Sequence, residues 1–376
     1  MVYRYTILLA GGYANSLLNF RGDLIDAMVS QGLDVHVTAP GANKEITDNI
    51  TKKGATYHDI SLMRTSLNPA KDVEYVIKMA ALMRRIGANI YLGYTVKPMI
   101  FGNIAAKLAG VRSRYALITG LGYLYSSQTL RARIAKDFSR PIFKYALKNI
   151  QGAIFQNPDD CWQFKSDRLI NKDVKTHIIN GSGVNIEKFT PQPLPDTTSF
   201  IFVGRLIREK GIYDYLQAVS TIACEYPNVR FYIAGGIDRN PSSLSMDEFQ
   251  NIRKSTIVNY LGDVRDIRDA LSKASVLVLP SYREGTPRSV LEAMAMGRAI
   301  ITTTAPGCKE TIQDGRDGFL IPPKDVTALI KAMRTMINDP TLIQTMGQLA
   351  RQTATNRYDV RKVNFNILNI LGVIPE

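Results

Sequence analysis

The chain has 376 residues, of which 45% are hydrophobic and 21% charged, a globular composition that excludes a disordered or fibrous protein. That length exceeds one ordinary core, so two domains are expected. The formal net charge of +14 is uneven: residues 1–190 carry 25 Lys and Arg against 14 Asp and Glu, a net of +11, and the remainder is near balance at +3. The basic half reads either as a solvated face or as a side that meets a polyanion, with nucleic acid, anionic membrane and phosphorylated substrates all allowed at this point.

In chain order, MVYRYTILLAGG is a first strand running into Gly11 and Gly12 rather than a secretory signal, and no apolar run is long enough to span a membrane. LLNFRGDLIDAMVSQG is an amphipathic helix closed by Gly32, and DVHVTAP is the next strand. VEYVIKMAALMRRIGANIYLGYT and IAAKLAGVRSRYALITG repeat helix then apolar strand. Such alternation implies a parallel sheet covered by helices. The proline-rich TPQPLPDTT breaks the pattern. We place an N-terminal domain at 1–190, a linker at 191–198, a second domain at 199–355, and a C-terminal helix at 356–376 that packs back on the first domain. The alternation restarts with SFIFVGRL, GIYDYLQAVSTIACEY, VRFYIAGG, TIVNYLGD, VRDIRDALSKA and SVLVLPSY. Three scattered cysteines, Cys161, Cys224 and Cys308, argue against a disulfide framework and for a reducing cytoplasmic compartment.

Two doubly wound domains bind ligands beyond the carboxyl ends of their strands, in a cleft that the domains are expected to share. Gly11 and Gly12 read equally as a phosphate approach and as a tight turn. In VGRLIREKG, Arg205 and Lys210 leave a strand on the way into a helix, where a fork and a point charge can neutralise a diphosphate, or stand as solvated charges. In SYREGTPRSVLEAMAMG, Thr286 is a candidate cap, Pro287 suits the first helical position and Gly297 ends the helix. That helix is apolar apart from Arg288, Ser289 and Glu292, and a buried carboxylate is costly unless something pairs with it. The three histidines, His36, His58 and His177, are far apart along the chain, and no Asp-x-Asp pair, Gly-x-Ser-x-Gly elbow or Walker loop occurs. A diphosphate handled here therefore relies on protein cations and helix N-termini.

VGRLIREKG and LVLPSYREGTPRSVLEAMAMGRAIITTTAPGCKETIQDGRDGFLIPP together resemble glycosyltransferase family 4, retaining enzymes of the two-domain GT-B fold. GGIDRNPSSLSMDEF, YALITGLGYLY and SLNPAKD resemble bacterial members that extend polyprenyl-diphosphate-linked sugars, among them enzymes transferring α-1,3-N-acetylgalactosamine to a diphospho-undecaprenyl sugar. The resemblance implies that Glu292 accepts the donor's ribose hydroxyls and Glu284 contacts the donor sugar. It implies that amides from Gly285 through Thr286, Pro287, Arg288 and Ser289 to Val290 face the diphosphate, with Gly12 also on the donor. It further implies that Arg205 and Lys210 stabilise the leaving group and that main chain near Val264 meets the base, with uridine expected. Glu284, Arg205 and Lys210 are the implied catalytic set, with neither cofactor nor metal. Asn19, Lys97, Thr119 and Gly120 are placed on the acceptor or in positioning roles; Lys97 reads equally as a solvated lysine. Thr119-Gly120 stand where many members carry a histidine, which confines Thr119 to positioning.

A nucleic-acid partner would leave this diphosphate site unused. The alternatives that stay open are another donor (UDP-galactose, UDP-N-acetylglucosamine or GDP-mannose) and a non-catalytic sugar-nucleotide-binding protein on the same fold. Finally, SSQTLRARIAKDFSRPIFKYALK sets Arg131, Arg133, Lys136 and Arg140 among apolar residues at helical spacing, with Pro141 bending or dividing the segment. It reads as a contact with the anionic inner face of the cytoplasmic membrane, or as an ordinary domain helix with a basic face.

Overall fold

A computed structural model describes residues 5–63, 68–120, 140–237, 242–264 and 266–374. The chain forms two compact units, 1–182 with 360–376, and 183–359.

The first unit is built on seven parallel strands: β1 (Thr6–Ala10), β2 (Asp34–Thr38), β3 (Thr56–His58), β4 (Ile90–Tyr94), β5 (Ser113–Ile118), β6 (Gly152–Phe155) and β7 (Lys175–Ile178). Their order in the sheet is β3-β2-β1-β4-β5-β6-β7. Interior stretches such as ILLA of β1 and GAIF of β6 are apolar throughout because both faces are covered. In β1, Ile7 and Leu9 join a core with Leu24, Ile25 and Met28 of the helix Gly22–Ser30. Leu8 and Ala10 point to the opposite face, against Tyr75, Met79 and Leu82 of the helix Pro69–Arg85.

The second unit repeats the plan with β8 (Ser199–Val203), β9 (Arg230–Ala234), β10 (Val258–Gly262), β11 (Val276–Leu279), β12 (Ala299–Thr303) and β13 (Gly318–Ile321), ordered β10-β9-β8-β11-β12-β13. In each unit the strand succession reverses at one place, between β1 and β4 and between β8 and β11. These are the topological switch points, where loops at the carboxyl ends of adjacent strands part and leave room for a ligand.

The unit boundaries differ from those expected. Val184, Ile186 and Phe189 are buried in the core of the second unit, and Arg351 donates to the carbonyls of both Phe189 and Ile186. The second unit thus begins before residue 190. The proline-rich stretch is also held in place: Arg298 is fully buried, and both of its terminal nitrogens donate to the Pro193 carbonyl at 3.0 Å. The final helix, Val360–Leu371, does return to the first unit, where Val363, Ile367 and Leu371 enter the core beside Leu24 and Met28.

Candidate active site

The loops leaving β8 and β11 lie edge to edge at the second switch point. Tyr282 N donates to Glu209 O at 2.9 Å. Gly211 has φ 75°, and a Cβ there would stand 2.1 Å from Pro280 O, so only glycine allows this approach. The contact brings the end of the 3-10 turn Arg208–Lys210 onto the loop that follows β11. Lys210 Nζ sits 2.5 Å from Glu284 Oε1, and Ser281 Oγ donates to the same oxygen at 2.7 Å. Glu284 is further fixed through its main chain, N to Pro306 O at 2.9 Å. Both Lys210 and Glu284 side chains are mostly shielded from water, so their attraction is stronger than at an open surface. Arg205 is exposed two residues beyond β8.

The helix Arg288–Ala295 starts later than expected. Pro287 is its N-cap with extended backbone, and no side chain caps it; Thr286 does not fill that role. Pro287 brings no N–H, and the Val290 N–H donates to Pro287 O at 3.1 Å, so neither adds to an anion cradle. The expected row of amides from Gly285 to Val290 is shorter for that reason. Glu292 is buried in this helix, and Arg288 one turn earlier pairs with it, Nε to Oε1 at 2.7 Å. Burial pushes the Glu292 carboxyl above the ordinary 4.5; Arg288 and Lys188 oppose that rise, and Asp266 adds to it. Val264 lies half-buried after β10, and Asp266 caps the next helix, Ile267–Leu271.

In the first unit the glycines after β1 answer to packing. A Cβ on Gly11 would meet Tyr94 Oη at 2.3 Å, and one on Gly12 would meet Thr95 Oγ1 at 2.7 Å. The Gly11 N–H donates to Thr38 O at 2.9 Å. Lys97 Nζ lies 2.5 Å from Asp72, both side chains largely buried, so its reading as a solvated lysine is corrected to that of a paired one, and any phosphate would compete with Asp72. Asn19 is exposed at the end of the helix Asn15–Asn19, and Thr119 and Gly120 are half-buried just past β5. Arg140 belongs to a helical stretch described over 140–146, with Nη2 3.1 Å from Asp167, which engages it within the protein. Arg131, Arg133 and Lys136 lie outside the described residues.

Sequence reasoning missed Ser281, the Arg288–Glu292 pair and Thr95. The four-residue spacing of Arg288 and Glu292 was a usable signal, because residues four apart share a helix face. Thr95 is a β-branched residue at φ 64°, a costly backbone at the carboxyl end of β4, and its Oγ1 makes no hydrogen bond among the described residues. Nothing in the sequence marks it. Among the described residues no group of three or more His, Cys, Asp or Glu side chains could hold a metal ion.

Two doubly wound parallel units, the second with a Lys–carboxylate cluster at its switch point, are the components of the GT-B fold. The chain belongs to the glycosyltransferases: residues 197–339 match the family of glycosyl transferases group 1, and residues 8–157 match the glycosyl transferase 4-like family. It is similar to the N,N'-diacetylbacillosaminyl-diphospho-undecaprenol alpha-1,3-N-acetylgalactosaminyltransferase of Campylobacter jejuni, 28% identical over an alignment of 358 residues, with 92% of each chain covered. It is also similar to the UDP-Gal:alpha-D-GlcNAc-diphosphoundecaprenol alpha-1,3-galactosyltransferase of Escherichia coli, 26% identical, covering 78% of this chain and 77% of that one. In fold it is similar to Anabaena Alr3699/HepE, solved in complex with UDP and glucose, with a TM-score of 0.78 at 17% identity over 99% of this chain and 100% of that one.

Proposed function

We propose that this glycosyltransferase moves a hexose or N-acetylhexosamine, N-acetylgalactosamine first among them, from a UDP-sugar to a sugar carried on a polyprenyl diphosphate. The observation that carries the reading is the convergence of Lys210, Glu284 and Ser281 at the second switch point, with the Glu292 carboxylate one helix away. The printed substrates of the Campylobacter and Escherichia relatives support the acceptor class. In this reading Glu292 accepts the ribose hydroxyls and Glu284 the hydroxyls of the donor sugar. Lys210 has three N–H donors, so it can keep Glu284 and still meet a phosphate oxygen.

The reaction is a front-face displacement with retention. The bond from the anomeric carbon to the diphosphate oxygen breaks while the acceptor hydroxyl oxygen bonds to the same face of that carbon. The hydroxyl proton passes to the departing diphosphate, whose charge Arg205 and Lys210 stabilise without a metal; preorganised cations of this kind commonly supply several kcal/mol. The acceptor falls to the basic first unit, where the sugar end would lie near Thr119, Gly120 and Lys97. The enzyme would work in the cytoplasm, held to the anionic inner face of the membrane by basic residues. No helix among the described residues is long and apolar enough to cross a membrane.

The test is a panel of UDP- and GDP-sugars offered with a polyprenyl-diphosphate-linked sugar, with the product's anomeric configuration read by NMR. An α-linked product from one UDP-sugar is expected. A β-linked product overturns retention, and turnover with GDP-sugars alone overturns uridine.

A further inference from the structure

A carboxylate accepts two ribose hydroxyl protons more strongly than the neutral acid does, yet Glu292 sits where burial favours the neutral acid. We propose that Arg288 is a positioning residue for the nucleotide end of the donor, holding the Glu292 carboxylate ionised and turned to receive the ribose hydroxyls. The inference rests on the reading of Glu292 as the ribose acceptor.

Geometry carries it. Arg288 and Glu292 are one helical turn apart on the same face, and their contact is a charge-assisted hydrogen bond of 2.7 Å between Nε and Oε1. Their side chains are only 20% and 11% exposed, so water contributes little to keeping the carboxylate charged. Oε2 makes no hydrogen bond among the described residues, which suits a ligand hydroxyl. Two other charged groups face Glu292. Lys188 acts on it without a hydrogen bond, and its main-chain carbonyl accepts from Arg268 at 3.2 Å. Asp266 opposes ionisation, but Arg268 grips it through Nε, 2.9 Å from Oδ1 and 3.0 Å from Oδ2, which offsets its charge. Arg288 is thus the only cation in hydrogen-bond contact with Glu292 among the described residues. Without it, only Lys188 opposes the effect of burial, and the balance moves further toward the neutral acid. Protonated Glu292 has one oxygen fewer to accept with, so donor affinity would fall as pH falls.

Calorimetric titration of UDP at pH 6 to 8.5 tests this with neither acceptor nor turnover, so an error in the acceptor assignment does not touch it. The wild type should change Kd by less than about twofold, a curve that also carries any titration of UDP itself. R288M should weaken by about tenfold or more from pH 8.5 to pH 6, since each unit between pH and pKa is a tenfold change in the ionised fraction. R288K should restore a flat profile, and R288M/E292Q should bind weakly at every pH. If R288M does not fold, R288Q takes its place. An equal loss for R288M at all pH values, as direct contact with the diphosphate would give, overturns the proposal, and so does no loss. Should the wild type bind no UDP but turn over another nucleotide sugar, uridine falls alone, and the same titration with that diphosphate decides the role of Arg288.

Discussion

Lys210 and Glu284 are 74 positions apart in the chain and 2.5 Å apart in the fold. Each had been singled out by motif, but their contact was not legible, because it depends on two loops from different strands. Lys210→Ala and Arg205→Ala should each lower kcat/KM by a factor on the order of 10² or more if they stabilise the leaving diphosphate; near-wild-type kinetics for both would remove them from the site. Ser281→Ala should lower it by about tenfold, about 1.4 kcal/mol, as one hydrogen bond to a charged group would. Glu292 gives a prediction of opposite sign for stability. Its carboxyl titrates above the ordinary 4.5 because of burial, so the neutral form is the one the fold prefers. The stability this confers is complete below the unfolded pKa and is lost as pH rises through the raised folded pKa. Glu292→Gln has no such loss, so the Tm difference, variant minus wild type, should grow from pH 4.5 upward while UDP binding weakens. A difference that does not change with pH would mean that Glu292 is not ionised at a cost.

The elements place these residues through contacts of the main chain. Gly211 turns the chain between the Lys210 turn and the helix Ile212–Glu225, and its left-handed backbone lies against Pro280 O. Gly211→Ala should cost at least about 1–3 kcal/mol, since it adds a strained φ and a clash with a carbonyl. It should also lower kcat/KM by moving Lys210 from Glu284. Chemical denaturation and donor kinetics measure the two effects, and an unchanged midpoint would show that the two loops part easily. The helix Arg288–Ala295 shows how far an element is readable. Its apolar run and Gly297 located it, but the choice between Thr286 and Pro287 as the cap depended on the ψ of 111° that Pro287 adopts.

For the whole molecule the proposals concern metal and membrane. Turnover should persist in excess EDTA, because Arg205 and Lys210 are given the task of a divalent ion; complete loss that Mg²⁺ restores would end that assignment. Binding to anionic vesicles should be salt-sensitive, since each basic residue near such a surface contributes about 1 kcal/mol. Arg131, Arg133 and Lys136 replaced together by Ser should abolish it at low salt. Arg140 is better left in place, because its pairing with Asp167 makes its loss a structural change as well. Sedimentation of the triple variant with vesicles, unchanged from wild type, would move the contact elsewhere.

Two parallel α/β units were legible because apolar strands and amphipathic helices alternate, and burial on both faces of a sheet writes that pattern into the chain. The family was legible through motif spacing, and the residues proposed for the donor side, Glu284, Glu292, Arg205 and Lys210, sit on the same two short contiguous stretches. What only the tertiary structure decided is which of them meet. The return of Val360–Leu371 to the first unit was expected, but the boundary before residue 190 was not. It follows from where Phe189 and Ile186 are buried, and burial is a property of three dimensions. Lys97 reads as a candidate phosphate ligand until Asp72, 25 positions away, is found 2.5 Å from it. Thr95 carries no signal at all, because a left-handed backbone is imposed by neighbours and not by its own side chain. Sequence determines the kinds of residue available to the site; the close packing of loops at the switch points determines their partners.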